Sequence, residues 1–253
     1  MLPLLQIVIS FVLLTSVKTD ATFLTTDYLQ NGYIITSGNE FQKVDSSGNL
    51  LVTYNQNRYG KLFFADATNP LRLVLSYPDY GTVVMLDNNL SEVNALSLRK
   101  INIQSYSATC FSSIDNNIWV FDDQDFKLKK IDRNNDIVIE SGDLFSLLGK
   151  ALHPVFMQED DQYVYLTDPD EGIVIFDIYG TYYQTLPFKN IHKFQVRSGQ
   201  LFFQEAETLR SYELKTLELK NIALPDAAQV IDVRIEKSRL YVLRQGQLDI
   251  YSY

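Results

Sequence analysis

Short apolar runs of β type recur along the chain, and a second run follows each of them at a nearly fixed distance. The first runs begin at positions that lie 38 to 45 residues apart: Tyr33, Leu73, Ile118, Tyr163, Leu201 and Leu240. The second runs end in an apolar residue, followed by an acid in all copies but the last: Val44-Asp45, Leu86-Asp87, Ile131-Asp132, Phe176-Asp177, Tyr212-Glu213 and Tyr251-Ser252. The apolar residue that ends each second run lies 11 or 13 residues after the first residue of its first run. The two spacings differ by two residues, and because strand side chains alternate between faces, this difference keeps the same side of the strand toward the core. The pattern predicts six antiparallel strand pairs.

Two further strands complete each repeat. A third run follows most of the acids, as in Asn49–Tyr54, and a fourth precedes the first run, as in Lys61–Ala65. Gly, Asn, Asp or Pro residues separate most first and second runs, as hairpin turns require. Four strands in about 40 residues are typical of a propeller blade. The sequence therefore predicts an all-β fold, a six-bladed β-propeller with four-stranded antiparallel blades.

The last repeat lacks its outermost strand, because the sequence ends at Tyr253 soon after the second run. The segment Ala21–Thr26 precedes the first repeat, and we expect it to supply the missing strand and cover the unpaired edge. One stretch, residues 141–149, interrupts the strand rhythm with apolar residues at 144, 145, 147 and 148. It predicts a short helix or turn that either packs locally or binds a partner.

The first 17 residues carry no charged side chain, which is typical of the apolar core of a signal peptide. They lack the usual preceding basic residues, and an uncleaved N-terminal anchor is the alternative. Thr19 and Ala21 are small residues at the positions that a signal peptidase requires. We therefore predict a signal peptide over residues 1–21, a propeller domain over 22–253, and an exported protein, periplasmic or extracellular, without stable membrane insertion after cleavage.

Net charge and cysteine content limit the partners and the thiol chemistry that we expect of this chain. The chain of 253 residues has 22 basic and 31 acidic side chains, a net charge of −9, so nucleic acid is not an expected partner. Its single cysteine, Cys110, cannot form an intrachain disulfide and is expected to be a small buried hydrophobe. A reactive nucleophilic thiol is the alternative for this residue.

Candidate catalytic and metal-binding groups are sparse. His153 and His192 have no second ligand at metal-binding spacing, and the run Asp132–Asp136 begins like a calcium loop but has Ile137 where such a loop needs glycine. Turn capping explains this run and the acids that end the second strands. We assign no catalytic residue, no metal ligand and no cofactor, and we leave the binding residues open.

The fourth repeat, Leu166–Gly180, resembles the blade of the NHL family of propellers. The resemblance lies in Asp168, in Phe176-Asp177 and in Gly180, and more weakly in Phe121-Asp122 and Ile131-Asp132 of the third repeat. It implies a six-bladed propeller of the NHL-like or TolB-like superfamily, which includes both binding proteins and enzymes. The resemblance therefore does not select a function.

Two functional hypotheses follow. The first is a non-catalytic exported scaffold that binds another envelope or secreted protein through loops; the tyrosines that suggest it are Tyr77, Tyr80, Tyr179, Tyr182 and Tyr183. The second is a hydrolase or lactonase-like enzyme with a calcium or metal-free site in the central channel. Its candidate residues on the innermost strands are Gln158, Gln195, Asp232 and Arg234.

Overall fold

The computed structural model describes residues 10–205, 208–226 and 228–253. Its strands form six four-stranded antiparallel sheets, and the chain is a six-bladed β-propeller, as the repeat predicts. In each blade the strands follow one another in chain order from the innermost to the outermost. The sixth blade takes its outermost strand from the N-terminal segment.

The N-terminal strand β1 spans Val12–Lys18. The first blade contains β2 (Ala21–Thr26), β3 (Gly32–Thr36), β4 (Glu40–Val44) and β5 (Leu50–Asn55). The second contains β6 (Phe64–Asp66), β7 (Leu73–Tyr77), β8 (Thr82–Leu86) and β9 (Glu92–Ser97). The third contains β10 (Tyr106–Phe111), β11 (Ile118–Asp122), β12 (Lys127–Ile131) and β13 (Ile137–Glu140).

The fourth blade contains β14 (Phe156–Asp160), β15 (Tyr163–Asp168), β16 (Gly172–Asp177) and β17 (Tyr182–Leu186). The fifth contains β18 (Phe194–Arg197), β19 (Gln200–Glu205), β20 (Thr208–Glu213) and β21 (Leu219–Ala223). The sixth contains β22 (Val230–Ile235), β23 (Arg239–Arg244) and β24 (Gln247–Ser252), which pairs with β1. Single 3₁₀ turns lie at Asn57–Tyr59, Pro78–Tyr80 and Leu98–Ile101.

Closure of the sixth blade by an N-terminal strand is confirmed, but the segment chosen from the sequence is wrong. Ala21–Thr26 forms β2, the innermost strand of the first blade, and β1 is the closing strand. The burial of the two strands gives the reason. Leu24, Thr25 and Thr26 are buried, as an innermost strand requires, whereas β1 is largely exposed, as an outermost strand is.

The predicted signal peptide overlaps this closing strand. Its residues 1–9 lie outside the described residues, whereas residues 12–18 form β1. The hydroxyl of Ser16 donates to Asp249 at 2.5 Å, and Val17 packs against a buried cluster that includes Leu248. Cleavage after Ala21 stays a prediction, and it would remove β1 from the sixth blade. No helix in the described part of the chain is long and apolar enough to cross a membrane.

The chain divides into two compact units. One contains residues up to Leu51 together with Phe194–Tyr253, and the other contains Val52–Lys193. The second unit holds the second, third and fourth blades. Its core includes Trp119, which is fully buried, and Cys110, whose thiol pKa is raised by burial. The expectation that Cys110 is a buried hydrophobe is confirmed.

Four of the five acids that end the second repeat runs cap turns, as expected. In the first, second, third and fourth blades one carboxylate oxygen accepts from the backbone N–H groups two and four residues further on; these acids are Asp45, Asp87, Asp132 and Asp177. For Asp132 the distances are 2.8 Å to Asn134 N and 2.9 Å to Asp136 N. The calcium-like run is therefore a hydrogen-bonded turn.

The irregular stretch contains a short helix, α1, over Leu144–Leu148. Asp143 caps its start by accepting from Ser146 N, and the helix ends at Gly149 in a left-handed conformation. Leu144 is buried in the core, whereas Phe145 and Leu147 are more than half exposed. The helix thus packs locally on one side and presents apolar side chains to solvent on the other.

Candidate functional site

The polar residues nominated on the innermost strands hold strands together. Gln195 accepts from Ile235 N at 3.0 Å and donates to Glu236 at 2.9 Å. Arg234 donates to the carbonyl of Phe194 at 2.6 Å. Each of these contacts joins the innermost strand of the fifth blade to the sixth blade.

The next pair of blades is joined in the same way. Asp232 accepts from Leu24 N at 3.3 Å, and Arg234 donates to Leu24 O at the same distance. Thr26 donates to Glu236 at 2.6 Å. The structure therefore brings Gln195, Asp232 and Arg234 together in buried inter-blade contacts, whereas Gln158 lies buried in β14 of the other compact unit.

The sequence interpretation missed two acids that act similarly in the unit of Val52–Lys193. Asp66 accepts from Phe111 N at 2.9 Å, and burial raises the pKa of this carboxyl group. Glu159 accepts from Ser113 N and from the Trp119 indole N–H, both at 2.8 Å. The available signal was an acid near the end of each of these innermost strands.

Two aromatic rings from non-adjacent blades meet in the same unit. Phe64 begins the innermost strand of the second blade, and Phe156 begins that of the fourth. Their ring centroids are 5.2 Å apart at an interplanar angle of 89°, the edge-to-face geometry that aromatic pairs favour. Apolar packing therefore occupies the space between these two strand starts.

The top end of a blade is defined here as the end at which its innermost strand begins and its second strand turns into its third. At the top end of the third blade, a concavity of about 540 Å³ is lined by Asp125, Phe126, Lys127, Asp143 and Phe145. The ring of Phe126 lies 6.3 Å from that of Phe145 and 6.4 Å from the imidazole of His153. These six residues are called the Phe126 patch below.

Backbone geometry marks Phe126 in this patch. Its φ is 51°, in the left-handed region that a bulky side chain rarely adopts. It is the last residue of the turn between the second and third strands, and three other blades place small or permissive residues at that point: Asn39, Gly81 and Gly246. Leu90 and Leu217 are also left-handed, so the backbone alone does not identify a site. The partly buried ring and its two aromatic neighbours distinguish Phe126.

Acids dominate the charge around the patch. Lys129 is buried and forms ion pairs with Asp122 at 2.8 Å and with Asp125, while Lys127 pairs with Glu140 at 2.5 Å. The hydrogen bond from Lys129 lowers the pKa of Asp125. Two further acids are held by serine hydroxyls: Asp123 accepts from Ser105, and Asp143 accepts from Ser146. A serine hydroxyl hydrogen-bonds to a carboxylate without cancelling its charge, and Lys127 also attracts the carboxylate of Asp143.

The nominated tyrosines do not form one surface. Tyr77 is buried, and its ring centroid lies 5.5 Å from that of Tyr59. Its burial contradicts the predicted role as a loop contact. Tyr80 lies at the top end of the second blade, and Tyr179 lies at the opposite end of the fourth. Tyr182 and Tyr183 belong to the outermost strand β17.

The histidines lie outside any metal cluster. Both are exposed and precede innermost strands, His153 before β14 and His192 before β18. Among the described residues, no group of three or more His, Cys, Asp or Glu side chains is placed to hold a metal ion.

Comparison with known proteins gives the fold. No protein-family model matches the sequence, and no curated protein matches it. Virginiamycin B lyase from Staphylococcus aureus superposes with a TM-score of 0.67 at 11% identity, covering 96% of this chain and 100% of the lyase. A streptogramin B lyase gives 0.62 at 13% identity, covering 93% and 84%. The WD40 domain of Neurospora crassa Pan2 gives 0.64 at 11% identity, covering 96% and 95%. At such identities the likeness establishes the propeller fold alone.

Proposed function

We propose that this chain is a non-catalytic propeller that binds another protein through the Phe126 patch. The observation that carries the proposal is the turn of the third blade, where a phenylalanine occupies a left-handed position and presents its ring beside Phe145 and His153. Residues held in costly backbone conformations cluster at binding and active sites. Phenylalanine is among the aromatic residues that are enriched in protein interfaces.

The chemistry of the patch selects the kind of partner. Asp143, whose carboxylate accepts from a serine hydroxyl, lines the concavity together with Phe126 and Phe145, and the chain as a whole is acidic. A guanidinium group can stack on an aromatic ring and pair with a carboxylate at the same time. The partner surface that fits best presents an arginine beside apolar side chains.

Catalysis is the weaker reading of the same structure. Gln195 of β18 and Glu236, which directly follows β22, hydrogen-bond to each other, and Gln195 also accepts from a backbone N–H group of the sixth blade. A hydrolase would need such groups free to meet a substrate. The lyases that share the fold differ from this chain at nearly nine positions in ten, so their activity does not transfer to it.

Peptide binding tests the proposal. The probe is a synthetic peptide of alternating arginine and leucine, and its matched control carries the neutral isostere citrulline in place of arginine. We expect the arginine peptide to bind at least tenfold more tightly by calorimetry, and we expect Phe145→Ala and Asp143→Asn to remove that preference. Tyr179→Ala, exposed at the opposite end of the fourth blade, is the control variant and should bind as the parent does.

Charge alone could attract a cationic peptide to an acidic protein, so the variants decide the outcome. Equal binding by the parent and Phe145→Ala would overturn the proposal even if the arginine peptide binds. Failure of the arginine peptide to bind more tightly than the citrulline peptide would overturn the assignment of the partner.

The proposed location is outside the cytoplasm, on the strength of the apolar N-terminal segment. Because β1 belongs to the sixth blade, export that removes residues 1–21 would leave β24 with an unpaired edge. Intact mass of the exported chain distinguishes the two cases. A mass that matches a chain starting at Thr22 supports the predicted cleavage. A mass that matches a chain starting before Val12 contradicts it.

A further inference from the structure

A second concavity lies on the fifth blade, in the compact unit that contains Phe194–Tyr253. Its volume is about 320 Å³, at the lower end of the range for small-molecule sites. Its apolar walls are Phe202 and Ile222 of the fifth blade and Ile235 of the sixth, all of them buried. It shares no residue with the Phe126 patch, and the inference drawn from it is independent of the function proposed for that patch.

Strand register explains why the space is open. Phe202 of β19 lies directly opposite Ser211 of β20, and Ser211 lies directly opposite Lys220 of β21, so the three side chains share one face of the blade. In the sixth blade the corresponding pair is Tyr241 opposite Ile250. A serine therefore stands where the neighbouring blade has an isoleucine, and its small side chain leaves room between Phe202 and Lys220.

Two cations border the opening. The guanidinium of Arg197 is about one third exposed. It hydrogen-bonds with the side chain of Tyr253 and lies 3.8 Å from Glu236, too far for a direct hydrogen bond to that acid. Lys220 lies 3.1 Å from Glu218, a solvent-exposed acid whose charge water screens. A guanidinium has five N–H donors and an ammonium has three, so each cation can bind an added anion without releasing these partners. Such a pair at one opening is notable in a chain whose net charge is −9.

We infer that this concavity binds a small organic carboxylate with an aromatic or aliphatic body. Phe202, Ile222 and Ile235 would contact the body, and Arg197 and Lys220 would pair with the carboxylate. A cavity of 150 Å³ accepts benzene, so this one accommodates on the order of 12 non-hydrogen atoms. The inference assigns binding and no reaction.

Calorimetric titration with 4-phenylbutyrate and its neutral isostere 4-phenylbutanamide tests the inference. We expect the acid to bind at least tenfold more tightly than the amide. Lys220→Gln should remove most of this difference, whereas Lys215→Gln, an exposed lysine of the same blade outside the cavity, should leave it unchanged.

A second variant tests the cavity itself. Ser211→Ile places the residue of the sixth blade at the equivalent position and fills the space, so we expect binding to be lost while the melting temperature stays close to that of the parent. The inference fails if neither probe binds at 10 mM, the upper limit of the titration, or if acid and amide bind equally. It also fails if a folded Ser211→Ile variant binds as well as the parent.

Discussion

Phe126 and Gly81 are the last residues of two four-residue turns at equivalent places in neighbouring blades, and both have left-handed backbones, with φ of 51° and 64°. Glycine adopts this conformation without steric cost, whereas a phenylalanine pays about 1–2 kcal/mol. The third blade therefore keeps a side chain that its backbone disfavours. This relationship is the basis for assigning the Phe126 patch to binding.

The buried carboxylate of Glu159 gives the first prediction. Because both of its oxygens accept from N–H donors, of Ser113 and of Trp119, the amide of a Glu159→Gln variant must turn its NH₂ toward one of them. We expect the free energy of unfolding to fall by about 1–3 kcal/mol, measured by chemical denaturation followed by circular dichroism.

Trp119→Phe provides the control for this prediction. It removes the indole donor, so the double variant should lose less stability than the two single variants together. Full additivity would contradict the assigned hydrogen bond between Trp119 and Glu159.

The buried carboxyl group of Glu236 should make the free energy of unfolding depend on pH. Burial raises the pKa of its carboxyl group above the ordinary value, against the opposing effects of Thr26, Arg197 and Gln195. The folded state then holds a proton that the unfolded state releases, so this group's contribution to stability is full below about pH 4.5 and is lost as the pH rises toward the folded pKa.

We expect Glu236→Gln to gain stability relative to the parent as the pH rises from 4.5, because the glutamine does not ionise. Denaturation at a series of pH values between 4.5 and 8 measures the difference. Glu218→Gln, at an exposed acid, should show no such trend. A difference between Glu236→Gln and the parent that is constant with pH would contradict the raised pKa.

Removal of β1 tests closure of the sixth blade. A chain that begins at Ala21 lacks the strand that pairs with β24 and also lacks Val17, which packs against Leu248. We expect a lower melting temperature and more self-association, because an unpaired strand edge is exposed. A melting temperature and monomer fraction equal to those of the full chain would show that β1 is dispensable.

The strand pattern of the blades could be predicted from the sequence because alternation and turn chemistry are local. The closing strand could not, because β1 and β2 are both short β-type segments and only tertiary burial separates them. The same limit applies to the site. In the sequence, Phe126 is an ordinary turn residue, and only the structure places its ring beside Phe145 and His153. Ser211 is likewise an ordinary strand residue in the sequence, and only the strand register shows that it corresponds to Ile250 of the sixth blade.

Phe126→Gly tests the central claim most directly, with stability and arginine-peptide binding measured on the same preparation. Relief of backbone strain offsets the lost contacts of a half-buried ring and the added flexibility of glycine, so we expect the free energy of unfolding to change by less than about 1 kcal/mol. Binding of the arginine peptide should fall at least tenfold. A loss of more than about 2 kcal/mol with unchanged peptide binding would make Phe126 a structural residue and contradict the account.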